Sequence, residues 1–284
     1  CNFMSQNSLV NAMRSVPCVR AAEILLYAPN RFGKTRKKFD AANAEVTAPK
    51  PRKADGFFMY PTVGLYGTTN YKFILDEFGT GFSVSGNYYL TQQRQDAGFN
   101  VYASACGETF DLTVGSNASF YFDHAAYVTS ASFFKAFVNA RALVGEPGEV
   151  RKVTIKNTSN AEIKVAVGAF AEIKLDKNYF CTEDEGLKEI LVKTVICDGY
   201  AYALRDKTAP CLAHYACGAE NIKYYTSRKE FFDIFKPTAK RGLKDPVLGS
   251  SADIWLSAGE EKTVVFVLFV SALESSIEKR FDVI

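Results

Sequence analysis

Glu149-Val150-Arg151-Lys152-Val153-Thr154-Ile155-Lys156, the run Asn157-Thr158-Ser159-Asn160, and Ala161-Glu162-Ile163-Lys164-Val165-Ala166-Val167 together decide the fold. In the last of these, polar and apolar residues alternate, the pattern of a strand with one wet face and one buried face. The four residues between the two segments are turn formers, which predicts a hairpin. A helix would instead space its apolar residues by three and four. This stretch reads as antiparallel β-structure.

The same style extends in both directions. Upstream, Phe73-Ile74-Leu75, Phe82-Ser83-Val84 and Tyr88-Tyr89-Leu90 are punctuated by Gly79, Gly81 and Gly86, and Phe99–Tyr102 and Ser119–Phe122 follow. Downstream come Leu191–Ile196, Tyr200–Leu204, Leu212–Cys217, Ile254–Leu256 and Lys262–Val270, with Ser257–Glu261 reading as a second hairpin turn. Residues 178–190 read as a helical or loop insert and 226–235 as a short helical or turn segment. Near the start, residues 8–27 have helical spacing interrupted at Pro17, and 28–55 are charged, Pro-containing and aperiodic. The expected organisation is an N-terminal helix and basic linker arm (1–56), one large antiparallel β-sandwich (57–271), and the start of a further helix (272–284).

Bulk properties narrow the function. The chain has 284 residues with 34 basic and 31 acidic side chains, a formal charge of +3. Nucleic-acid binding needs Lys and Arg clustered on one face. The densest basic run, Arg31–Lys38 with Lys50, Arg52 and Lys53, lies in the linker and reads as solvated. No segment approaches the ~20 apolar residues of a membrane-spanning helix, and no signal peptide is expected from the first residues. The seven cysteines are an odd number without a tight cluster. They read as free thiols in a reduced cytoplasm rather than as a secreted disulfide framework.

A search for catalytic chemistry returns little. His124 and His214 are the chain's two histidines, too few for a three-histidine metal site. His124 follows Asp123 and reads as a hydrogen-bonded turn, whereas His214 reads as filling the core or facing solvent. There is no nucleophile elbow, P-loop or dinucleotide fingerprint. The carboxylate pairs Asp76-Glu77, Asp184-Glu185 and Glu260-Glu261 are adjacent in sequence and read as exposed turns. Glycoside cleavage needs two carboxylates on opposite sides of a bond. No catalytic residue, metal or cofactor is therefore expected.

Sugar binding is better served, because it needs flat aromatic faces beside planar hydrogen-bonding groups. Asn87–Asp96 has that mixture. Strand alternation puts Tyr88, Leu90, Gln92 and Arg94 on one face and Tyr89, Thr91, Gln93 and Gln95 on the other. With Tyr88 and Leu90 inward, Tyr89, Gln93 and Gln95 are expected to point outward. The candidate substrate-binding set is Tyr89, Gln93, Arg94, Gln95 and Asp96. A second mixture of the same kind is Asn221-Ile222-Lys223-Tyr224-Tyr225.

Several of these segments, taken in order, resemble glycoside hydrolase family 94. The resemblance is to the β-sandwich that precedes its catalytic barrel, in the branch holding cyclic β-1,2-glucan synthase and 1,2-β-oligoglucan phosphorylase. Pro17–Tyr27 is similar to the family's P-x-V-x-A-x-E-L-L-L-x-E, and Asn70–Ser83 to its G-x-Y-x-V-x-x-x-x-x-G-x-G-Y-S. Leu90–Asp96 resembles V-T-R-W-R-E-D, with Gln93 in place of tryptophan. Glu149–Ser159 resembles E-V-R-R-V-x-L-x-N, and Ala169–Leu175 resembles S-Y-A-E-x-x-L. Tyr225–Phe232 resembles Y-E-T-D-R-x-x-F-L, and Leu256–Glu260 resembles L-x-P-G-E.

The resemblance implies a galactose-mutarotase-like supersandwich, with the general acid and phosphate site in a downstream α-helical barrel. The chain is then expected to be a non-catalytic piece of a longer β-glucan phosphorylase or synthase, supporting assembly and substrate access. Its expected partners are a β-glucan oligosaccharide and that barrel, with self-association left open. A free-standing carbohydrate-binding module is the alternative.

Overall fold

A computed structural model describes residues 51–53, 62–92, 98–114, 117–177, 191–197, 199–205, 209–235 and 246–271. The expected helix at 8–27, most of the linker, the insert at 178–190 and the helix start at 272–284 lie outside them. In chain order the strands are β1 (Arg52–Lys53), β2 (Val63–Gly67), β3 (Tyr71–Asp76), β4 (Gly81–Ser85), β5 (Tyr88–Thr91), β6 (Phe99–Ala105), β7 (Glu108–Asp111), β8 (Asn117–Phe120) and β9 (His124–Ser130). Then come β10 (Phe134–Ala142), β11 (Gly148–Asn157), β12 (Ile163–Asp176), β13 (Lys193–Cys197), β14 (Tyr200–Leu204), β15 (Cys211–Cys217), β16 (Lys223–Tyr225), helix α1 (Arg228–Phe235), β17 (Val247–Leu256) and β18 (Glu261–Ser271).

These form two antiparallel nine-stranded sheets, the large sandwich that the alternation predicts. The first runs β1-β8-β9-β10-β11-β18-β15-β14-β13; the second runs β16-β17-β12-β5-β4-β3-β2, with β6 and β7 also reaching it through β12. The 14-residue β12 is the spine of the second sheet. One of its edges pairs with β17, while the other pairs with β6 and then, past an irregularity, with β5. Val153 and Ile155 of β11 and Val165, Val167 and Ala169 of β12 belong to one buried core with Phe266 and Leu268 of β18.

Both expected hairpins are instead crossings between sheets. β11 lies in the first sheet and β12 in the second; β17 lies in the second and β18 in the first. The turn residues are those of a hairpin, but the two strands they join pair with other partners. Asn157 ties the two crossings together. Its Nδ2 donates to the carbonyls of Ala161 (2.7 Å), Leu256 (3.0 Å) and Ser257 (3.1 Å), and its backbone N–H donates to Glu260.

The turn after β3 also differs from expectation: Asp76 and Glu77 are buried, not solvated. The Asp76 carboxylate accepts the backbone N–H groups of Phe78 and Thr80, both at 2.9 Å, and the Thr80 hydroxyl. Gly79 completes the turn at φ +71°, and a Cβ there would strike Thr113.

Candidate functional site

The strand chosen for sugar contact is partly described. Tyr88 and Leu90 pack toward the inter-sheet core, as alternation requires. Tyr89 lies on the opposite face but does not stand in water: it is 9% exposed. Phe82 sits 6.2 Å from its ring and the Lys174 ammonium 5.4 Å over it. Alternation predicts the face; neighbours on that face cover it. The Thr91 hydroxyl accepts the Ser83 N–H, and Gln92 donates to the Glu172 and Ile173 carbonyls. Gln93, Arg94, Gln95 and Asp96 lie outside the described residues.

The charged residues of the family-like motifs are turned inward. Glu149 and Arg151 alternate on β11 toward the core, both nearly inaccessible, with Arg151 Nη2 donating to Glu149 Oε2 at 2.5 Å. From the facing sheet, the Tyr71 hydroxyl (2.8 Å) and the Ser83 hydroxyl donate to Glu149. Burial, and then the Glu149 charge, push the Tyr71 phenol well above its usual value, so it stays a donor. The Arg151 guanidinium lies 5.1 Å from the ring centres of Phe73 and of Phe99. Beyond Phe99, His214 meets that ring edge-on at 5.5 Å. Its Nδ1 shares a hydrogen bond with the Val267 carbonyl and its Nε2 with Ser250 Oγ. Burial lowers the His214 pKa to about 4, so the imidazole is neutral at pH 7.

Two further ion pairs anchor β12. Arg228, the first residue of α1, bonds Glu172 of β12 and lies over Phe170 and Phe232. Arg205 reaches Asp176 at 2.6 Å. Thus the arginine of one family-like segment pairs with the glutamate of another, a link that neither segment shows by itself.

The outer face of the second sheet offers the opening. Helix α1 covers one half of it: Phe231 and Phe235 pack with Tyr102, Phe170 and Tyr225 in a separate apolar cluster. Gly168 makes that contact close, since a Cβ there would lie 2.5 Å from the Phe235 ring. Beyond the helix lies a cleft of about 490 Å³, within the range of small-ligand sites. Its floor includes Ser104 of β6 and Ala166 of β12, which are paired, and Ser251 of β17, which lies opposite Gly168; its rim includes Lys164, Asn221, Lys223, Asp253 and Ile234. Lys164 and Asp253 form an ion pair at 2.7 Å, and Tyr225 OH and Ser251 Oγ share a hydrogen bond at 2.8 Å. Trp255 lies next to the lining rather than in it: it is two residues beyond Asp253 on β17, pairs with Lys164 in the β12–β17 register, and is 56% exposed on the same face. The Asn221–Tyr225 mixture therefore contributes to a cleft, whereas sequence reasoning passed over Trp255, Lys164 and Asp253.

Other candidates resolve simply. His124 Nδ1 shares a 2.8 Å hydrogen bond with Asp123, the turn contact expected. Among the described residues no group of three or more His, Cys, Asp or Glu is placed to hold a metal, and no helix is long and apolar enough to cross a membrane. The described cysteines, Cys106, Cys197, Cys211 and Cys217, are free thiols.

The architecture is that of a β-supersandwich. The chain belongs to the glycosyl hydrolase 94 supersandwich domain family, which it matches over residues 116–282, more than half its length. No curated protein matches it. Similar solved structures include a bacterial glucoamylase complexed with acarbose (TM-score 0.48, 11% identity, 84% of this chain and 35% of that one). They also include a galactose mutarotase related enzyme from Lactobacillus acidophilus (0.45, 10%, 75% and 99%) and a polysaccharide lyase (0.39, 11%, 78% and 34%). The chain spans about a third of the length of the glucoamylase and the lyase.

Proposed function

We propose that this chain is the non-catalytic supersandwich module of a β-glucan-active phosphorylase or glycosyltransferase, with β-1,2-linked glucan as the substrate class. The observation that carries the reading is the use made of its buried carboxylates. Among the described residues, Glu149, Glu172 and Asp176 each bond an arginine inside the fold, Asp76 accepts the N–H groups of its own turn, and Asp253 in the cleft is tied to Lys164. A retaining or inverting glycosidase instead holds two carboxyl groups across an open site. The module's role is then to support a downstream helical barrel and shape access to it.

One end of the first sheet suits such a partner. The β9–β10 register sets His124 beside Arg141, which brings the 121–123 and 143–147 turns to the same end. There Phe122 and Val144 are almost fully exposed, and β18 ends at that edge, with Phe269 opposite Gly148. These exposed apolar side chains are the candidate contact for the barrel.

The test compares the 284-residue chain with a version extended through the barrel, in phosphate buffer with β-1,2-oligoglucans. The extended enzyme is expected to release glucose 1-phosphate and the chain to release none. Turnover by the chain that survives repurification, yet disappears when one of its own carboxylates is replaced, overturns the module reading.

A further inference from the structure

We infer that the cleft beside Trp255 is a binding site for a neutral oligosaccharide, with the indole as its stacking platform; this rests on the glucan-handling reading above. Trp255 stands out among the aromatics on this face. Tyr102, Phe170, Phe231 and Phe235 are buried beneath or within the helix-covered half, while the indole is left more than half in water. Lys164, its partner across the β12–β17 pair, is also exposed, so its position calls for no aromatic to fill a core. A large flat apolar ring beside a polar cleft suits a ligand with one apolar and several polar faces. A pyranose ring is such a ligand: its C–H face is apolar and its hydroxyls project from the edge.

The rest of the cleft supplies what those hydroxyls need. Asn221 offers a planar donor–acceptor group and Lys223 an ammonium, while the Ser104 hydroxyl at the floor already donates to the Glu108 carbonyl and accepts from Thr109. Along β17, Ser251 in the cleft and Trp255 beyond its rim are four residues apart, roughly 13 Å at ~3.3 Å per residue, so a ligand reaching from the cleft to the indole spans several sugar rings rather than one. The lining carries two lysines and one aspartate, with Lys164 held by Asp253 at 2.7 Å; the phosphate arm of the test below separates a sugar at Lys223 from an anion there. Small floor residues give the depression its depth, and Ile234 of α1 closes one side.

Trp255 is the chain's only tryptophan, so intrinsic fluorescence reports on this position alone. The test titrates the 284-residue chain with β-1,2-, β-1,3- and β-1,4-linked gluco-oligosaccharides of equal length, and separately with inorganic phosphate. A saturable change in emission with at least one neutral glucan is expected, and none with phosphate. By calorimetry, Trp255→Ala is expected to weaken binding about tenfold or more, the usual loss for an aromatic anchor, while Trp255→Phe retains most of it. Absence of saturable binding, a response to phosphate only, or unchanged calorimetric affinity in Trp255→Ala would overturn the inference. The barrel-extended enzyme separates this outcome from the module reading. Turnover without cleft binding removes the cleft and leaves the module; cleft binding with no turnover on any β-glucan does the reverse.

Discussion

The interior of the sandwich and the outer face of its second sheet both carry charged and aromatic residues, yet they use them in opposite ways. Inside, Glu149 and Arg151 are nearly inaccessible, with Arg151 against Phe73 and Phe99 and with Tyr71 and Ser83 donating to Glu149. Outside, Lys164 and Asp253 form a comparable pair about half exposed to water, beside an uncovered indole. The same residue types are structure in one place and an available surface in the other. Solvent access makes the difference. A buried charge that loses its partner costs several kcal/mol, while an exposed pair contributes almost nothing.

Arg151→Met breaks the interior most severely, because it leaves Glu149 charged and unpaired. A loss of about 3–5 kcal/mol is expected in urea unfolding. If it is nearly neutral, water reaches the pair and the contrast collapses. Tyr89→Ala comes next, at about 3 kcal/mol, because Tyr89 is an outer-face aromatic that its neighbours cover. Trp255→Ala, on the same sheet face but uncovered, should stay within about 0.5 kcal/mol. Similar losses from the two would mean that Trp255 is packed after all.

The pH dependence follows from His214. The unfolded chain takes up a proton near pH 6.5, but the buried imidazole resists it until about pH 4. The contribution of neutral His214 is therefore complete above pH 6.5 and is lost as the pH falls toward 4, of order 3 kcal/mol in total. His214→Gln should flatten the stability profile across that window. A profile as steep as that of the parent would assign the acid sensitivity to other groups. Asn157→Ala is expected to cost about 1–3 kcal/mol, since three carbonyls at the two crossings lose their shared donor. Thermal unfolding measures it directly.

Much of the fold was legible in the sequence, because alternation along β11 and β12 identifies strands and faces. Two features were not. Asn157–Asn160 and Ser257–Glu261 have turn chemistry common to a hairpin and to a crossing between sheets. What separates them is which strands lie alongside, and that is set by contacts as distant in sequence as β12 with β6. The Asp76-Glu77 turn was misjudged for a related reason, since a carboxylate that bonds its own turn N–H groups can leave water.

The site was legible only in fragments. Asn221–Tyr225 carries a local polar–aromatic signal, but Ser104, Lys164 and Asp253 come from three other strands and meet only through pairing, with Trp255 next to them on β17. Likewise Glu172 and Arg228 lie in two segments similar to one family, and their bond explains both residues.

The most direct measurement makes one chemical change in both regions. Glu149→Gln and Asp253→Asn each turn a carboxylate paired with a cation into a neutral amide of the same shape, and urea unfolding at pH 7 compares them. Glu149→Gln is expected to lose about 3 kcal/mol or more, and Asp253→Asn to stay within about 0.5 kcal/mol of the parent. Equal losses, or a larger loss at Asp253, would contradict the division between a structural interior and a surface free to bind.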